Sequence, residues 1–169
     1  DAQTHAFQTN EFDWLISRFG VMFFADPTAA FRNLRRAASR LRAIAWRSPS
    51  ANPFMTTAER AAAPFIDLPP RIPGAPGQFA FADRDRVATI LHDAGWQSVE
   101  LTELDLACAM PATQLPDYYT RLGPLGALLP AMEPARREQV IEAIERAFAP
   151  FVEDGEARFT AACWLIEAS

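Results

Sequence analysis

The chain runs to 169 residues, half of them apolar and 11% aromatic, with a formal net charge of −5. Such a length suits one domain, 1–169, able to bury roughly 70% of its unfolded surface. An acidic chain without a basic patch has no electrostatic footprint for nucleic acid, and none for an anionic membrane either. No apolar stretch approaches the ~20 residues that cross a bilayer, and Asp1-Ala2-Gln3-Thr4-His5 lacks the basic-then-apolar layout of a signal peptide, so a cytoplasmic protein is expected. Cys108 and Cys163 lie in apolar, strand-like surroundings and read as core thiols in a reducing compartment.

Residues 14–18 form a short apolar run that reads as a buried strand. Asp26 then supplies an N-cap and Pro27 the first helical position, where its missing donor costs nothing. The helix so started is expected to reach about Ser39. Its apolar residues Ala30, Phe31, Leu34 and Ala38 recur at three- and four-residue spacing and give one face to a sheet, while Arg32, Arg35, Arg36, Arg40 and Arg42 read as a solvated basic stretch. All sixteen basic residues are Arg, a bias that fits GC-rich bacterial coding better than function. Residues 41–46 read as a second buried strand.

Prolines and small residues dominate 48–78, and the stretch 68–77 cannot be regular helix or central strand. A loop this long in a compact domain is usually functional or mobile, and Phe54, Phe65, Phe79 and Phe81 would anchor it as a packed lid. Asp83 can cap a helix over 84–94 with Val87, Ile90 and Leu91 inward and Gly95 as its left-handed stop. A strand over 96–106 is expected next. Residues 111–152 read as a helical insertion: short, Pro-punctuated helices over 115–132, then a longer one opened by Glu133 and Pro134, along which Val140, Ile141, Ile144, Phe148 and Phe151 trace a stripe. Residues 158–168 close the chain as a final strand.

Patterns that carry chemistry are sparse. His5 and His92 are far apart, and His92, on a helix beside Asp93, reads as an exposed helix residue. No pair of His or Cys has metal-ligand spacing, so no metal is expected. Neither a G-x-S-x-G elbow nor an ordered Ser, His and Asp set occurs, and none of the seven glycines falls in a G-x-G-x-G pattern.

Four blocks, in order, resemble bacterial class I S-adenosylmethionine-dependent methyltransferases of the small-molecule type. They are Asp1-Ala2-Gln3, residues 12–27, Trp46 through Asn52-Pro53-Phe54, and Phe79-Ala80-Phe81-Ala82-Asp83 leading to Ala94-Gly95-Trp96. Residues 161–166 also resemble the family's seventh strand. The resemblance implies an α/β fold, part of a Rossmann-like sheet, whose strands are the family's fourth to seventh in the order four, five, seven, six, with the last antiparallel. The family's first strand, its glycine-rich turn and its second strand with a ribose-binding acid have no counterpart here, so the chain corresponds to a carboxyl-terminal portion. The turn before the strand at 41–46 is also shorter than the family's Pro-Gly-Gly turn.

The function implied by the resemblance is methyl transfer from S-adenosylmethionine to a small, apolar or aromatic metabolite, with cofactor binding weak or absent in this chain alone. By the same resemblance, Asp1, Ala2 and Gln3 are a remnant of the adenine-contacting loop, and Ser17, Arg18, Phe19, Gly20 and Val21 floor the reactive end of the cofactor. Met22, Trp46, Asn52 and Phe54 would bound an acceptor pocket. In-line approach to a sulfonium methyl depends on positioning more than on an acid or base, so no catalytic residue is assigned. An aromatic face such as that of Phe19 attracts a sulfonium-like cation. Phe23 and Phe24 read rather as packing between sheet and helix, and Trp46 serves equally well as ordinary core. A rival reading is a non-catalytic binding or dimerisation module. Residues 14–18 would otherwise present unpaired backbone and apolar faces at a sheet edge, to be covered by a symmetry mate, a second chain or a missing amino-terminal half.

Overall fold

Local caps and periodicity place most elements where the residues call for them. In the computed structural model, which describes residues 1–169, the first strand is β1 (Phe12–Arg18). Helix α1 (Pro27–Ala37) starts on Asp26, whose carboxylate accepts the Ala29 N–H at 2.9 Å, and buries Ala30, Phe31, Leu34 and Ala37. Strand β2 (Ala38–Trp46) begins at the very next residue. The Ala38 N–H still donates to Leu34 O while its own backbone is already extended, so the shortened connection has become no turn at all, and the helix stops before Ser39.

Helix α3 (Arg84–Asp93) is capped by Asp83, which accepts the Arg86 N–H at 3.0 Å, and it ends at Gly95 with φ of +93°. Trp96 does not open a strand. Its indole is fully buried and donates to Phe31 O at 3.1 Å, which ties the residue to α1, and β3 (Glu100–Pro111) starts later and runs further than the expected 96–106.

The Pro-rich stretch corrects a second expectation. Residues 68–77 hold no helix or strand, but helix α2 (Pro53–Ala62) stands inside what reads as loop. Pro53 occupies the tolerated first turn, and Phe54, Ala58 and Ala62 fall at four-residue intervals and are all buried.

After β3 come α4 (Leu115–Arg121), α5 (Gly123–Leu128) and α6 (Pro134–Phe148), the last capped by Glu133 and burying Val140, Ile144 and Phe148. The hairpin β4 (Val152–Glu153) to β5 (Glu156–Ala168) turns on Asp154 and Gly155 at φ of +50° and +78°, the two left-handed residues of a type I′ turn.

The sheet order is β1-β2-β5-β3, with β1 and β2 parallel and β5 antiparallel to β2, and this is the strand order expected. Trp14 registers with Arg40 and Ser17 with Ala43. The chain forms two compact units. The first is Asp1–Ala51, Ile72–Asp105 and Ala162–Ser169, and the second is Asn52–Arg71 and Leu106–Ala161. Strands β3 and β5 contribute residues to both.

In the first unit, Leu41, Ala43, Ala45, Ile166 and Ala168 on one sheet face pack with Phe31, Leu34, Val87, Ile90 and Leu91 from α1 and α3. In the second, Phe54 sits among Tyr118, Phe148, Phe151 and Phe159. Cys163 is buried as expected. Cys108 is only half-buried, because β3 exposes most of its side chains, and neither thiol is in a disulfide.

Candidate functional site

The parallel ladder runs one residue past β1: the Phe19 N–H donates to Ile44 O at 2.9 Å. Phe19 then enters the left-handed region at φ of +60°, a conformation that costs an aromatic residue energy and is held by its surroundings. What holds it is Trp46 at the end of β2. The two rings are stacked, with centroids 4.3 Å apart and planes 7° from parallel. The carboxyl ends of two neighbouring parallel strands therefore carry one aromatic platform, at the place where open α/β sheets bind ligands.

Gly20 follows with its backbone exposed, and a Cβ there would come within 3.2 Å of Ser17 Oγ. Val21 and Met22 turn inward and are buried. Met22 serves as a wall of the core. Its Sδ accepts the Trp46 N–H at 3.4 Å, and its carbonyl accepts the Gly77 N–H at 3.0 Å. That second bond fastens the end of the Pro-rich stretch to the platform's own turn. Arg86 fastens it again, donating to Gly74 O at 3.1 Å and Ala80 O at 3.0 Å. Neither Gly77 nor Arg86 stands out in the sequence. The positive φ of Gly77 and an inward-facing Arg on α3 are tertiary facts.

Arg18 lies on the other, exposed face of the strand, registered with Ile44. Asp1, Ala2 and Gln3 are drawn onto the start of α1. Gln3 Oε1 accepts the Ala25 N–H at 2.7 Å, Asp1 accepts the Gln3 N–H at 2.9 Å, and Asn33 Nδ2 donates to Ala2 O at 3.1 Å. Asn52 and Phe54 belong to the second unit. Asn52 is buried at the start of α2. Phe54 is also fully buried and stacks on Phe159 at 4.0 Å and 11°, so its ring is spent on packing.

Phe24 meets Phe31 edge-on, as a packing residue should, but Phe23 is 59% exposed, because the 3-10 turn at Val21–Phe23 points it outward. His92 is exposed. The basic stretch is dispersed: Arg32 donates to Asp93 O, Arg36 to Asn33, and Arg42 to Glu167, while Arg35 lies over Trp96. No three His, Cys, Asp or Glu residues stand close enough to hold a metal ion.

Two tyrosines of the second unit titrate high. Burial and then the charge of Glu59 raise Tyr118. Burial, followed by the charge and hydrogen bond of Glu145, pushes Tyr119 up to about 12.

No family model and no curated protein matches the chain. Solved structures do. A protein assigned as a methyltransferase from Bacillus halodurans superposes with a TM-score of 0.54 at 14% identity, covering 99% of this chain and 74% of its own. One assigned as a methyltransferase of an antibiotic biosynthesis pathway in Anabaena variabilis gives 0.57 at 12%, covering 99% and 70%. The YcgJ protein of Bacillus subtilis gives 0.51 at 15%, covering 99% and 67%. At such identities the likeness is one of fold: this chain has the mixed α/β, Rossmann-like architecture of methyltransferases.

Proposed function

We propose that the chain is the carboxyl-terminal portion of an S-adenosylmethionine-dependent methyltransferase acting on a small apolar or aromatic metabolite. The observation that carries this reading is the Phe19–Trp46 stack, held by a left-handed Phe19 at the ends of two adjacent parallel strands. When bound, S-adenosylmethionine supplies an electrophilic methyl group on a sulfonium. The platform offers that cation a π face. The exposed backbone at Gly20 allows close approach, and buried Val21 and Met22 keep the floor rigid.

The fit to the cofactor is nonetheless partial. The side-chain oxygens of Asp1 and Gln3 are engaged with Gln3 and with Ala25 and Asp26, so neither is turned to a ribose hydroxyl. No glycine-rich turn is present to cradle the methionine part. The 169-residue chain is therefore expected to bind the cofactor weakly or not at all. Calorimetric titration with S-adenosylhomocysteine checks this. Low-micromolar affinity in the chain as given defeats the incompleteness, and absence of binding in a version extended upstream in the gene defeats the methyltransferase reading itself.

A second reading, a non-catalytic module that pairs through its sheet edge, rests on β1. The strand bonds only to β2, and Phe12, Trp14 and Ile16 on one of its faces are 47%, 45% and 79% exposed. Arg40 and Arg42 lie over the Trp14 ring at 5.3 and 5.5 Å without hiding it. Sedimentation velocity decides: a dimer that an Ile16→Lys substitution dissolves supports this module, and a monomer at every concentration removes it.

A further inference from the structure

The second unit holds a half-open cavity of about 210 Å³, lined by Leu115, Pro116 and Tyr119 of α4, Glu145 and Phe148 of α6, Ala149 just after it, and Val152 of β4. All of these residues lie within that unit. Its volume falls below the ~300–1,000 Å³ of pockets that hold drug-sized molecules, so its occupant is fragment-sized. The walls are apolar except for the Glu145 carboxylate and the Tyr119 hydroxyl bonded to it.

Glu145 brings a carboxylate to the cavity, and Tyr119, itself buried, donates its only proton to Glu145 Oε1 at 3.2 Å. None of the ion pairs in the unit (Arg71 with Glu59, Arg121 with Asp117, Arg158 with Glu156) involves Glu145. An ionised carboxylate only accepts hydrogen bonds. Tyr119 fixes one of its oxygens, and because Glu145 is an exposed residue the other stays open to water or to a ligand's donor. An apolar cavity with a single oriented acceptor and no internal cation selects a molecule with an apolar body and a cationic donor at one end, since charge-assisted hydrogen bonds are the stronger kind.

We propose that this cavity is a binding site for a small primary amine with a short hydrocarbon or aromatic body, its ammonium on Glu145 and its body against Leu115, Phe148 and Val152. The cavity's lining residues all belong to the second unit, whereas Phe19 and Trp46 belong to the first.

The test uses the whole chain, with benzylamine as the cationic probe and benzyl alcohol as its uncharged counterpart, followed by amide chemical shifts in two-dimensional NMR. Saturable shifts are expected at Leu115, Tyr119 and Val152, with the amine binding at least about tenfold more tightly than the alcohol. Glu145→Gln, at an exposed position, should erase the preference while leaving the spectrum folded. Ala149→Leu, which adds bulk at an uncharged lining residue, should weaken both probes. Equal affinity for amine and alcohol, a preference that survives Glu145→Gln, or shifts confined to residues outside the cavity each overturn the proposal.

Discussion

In the first unit α1 and α3 cover one face of β1 and β2, and alternation along the strands leaves Phe12, Trp14 and Ile16 on the other face in solvent. The second unit instead closes on itself around Phe54, whose ring meets Tyr118, Phe148, Phe151 and Phe159. A sheet needs a layer on each apolar face, whereas a helical cluster can converge on one aromatic hub. The first arrangement leaves apolar surface with no internal partner, and the second concentrates its stability in a few side chains.

The sharpest way to break that contrast is at the hub. Phe54→Ala removes a fully buried ring and should cost about 3–5 kcal/mol, read by urea denaturation. Hydrogen exchange on the same variant should show the second unit losing protection while amides of β2 and α1 keep theirs. Uniform loss would make the two units one cooperative body.

The pH response separates the units next. Tyr119 holds its proton more tightly folded than unfolded, so its contribution is complete below the ordinary tyrosine range and fades as pH rises from about 10 towards 12. Melting temperatures over that window should fall more steeply for the native chain than for Tyr119→Phe.

Two substitutions of about 1 kcal/mol compare local devices. Asp26→Ala strips the α1 cap in the first unit. Gly155→Ala strains the hairpin of the second at φ of +78°, where open space makes the cost purely conformational. Thermal melts should rank both well above the smallest effect, Ile16→Lys, which belongs within about 0.5 kcal/mol because the side chain is already exposed.

Much of this was legible in advance. Asp26-Pro27, Asp83 and Glu133-Pro134 start three helices where expected, since a cap bonds only within its own turn. Of the residues singled out, Phe19 and Met22 meet Trp46 at the strand ends, while Arg18 stays on the exposed face. Asn52 and Phe54 fall in the second unit, where four-residue spacing makes 53–62 a helix with one buried face. The Asp154-Gly155 turn is itself a hairpin signal, and it starts β5 at Glu156, two residues before the expected 158.

By itself the sequence determined what neighbours along the chain can settle: helix starts, stops at glycine, turns and the alternation of strands. Tertiary structure alone decided which strand face is covered, that Phe19 takes a left-handed backbone against Trp46, that Arg86 and Gly77 pin the Pro-rich stretch, and that Glu145 meets Tyr119. The reason is distance along the chain. Caps and turns repay their ordering within a few residues, whereas these contacts join segments that only the assembled sheet and helices bring within reach.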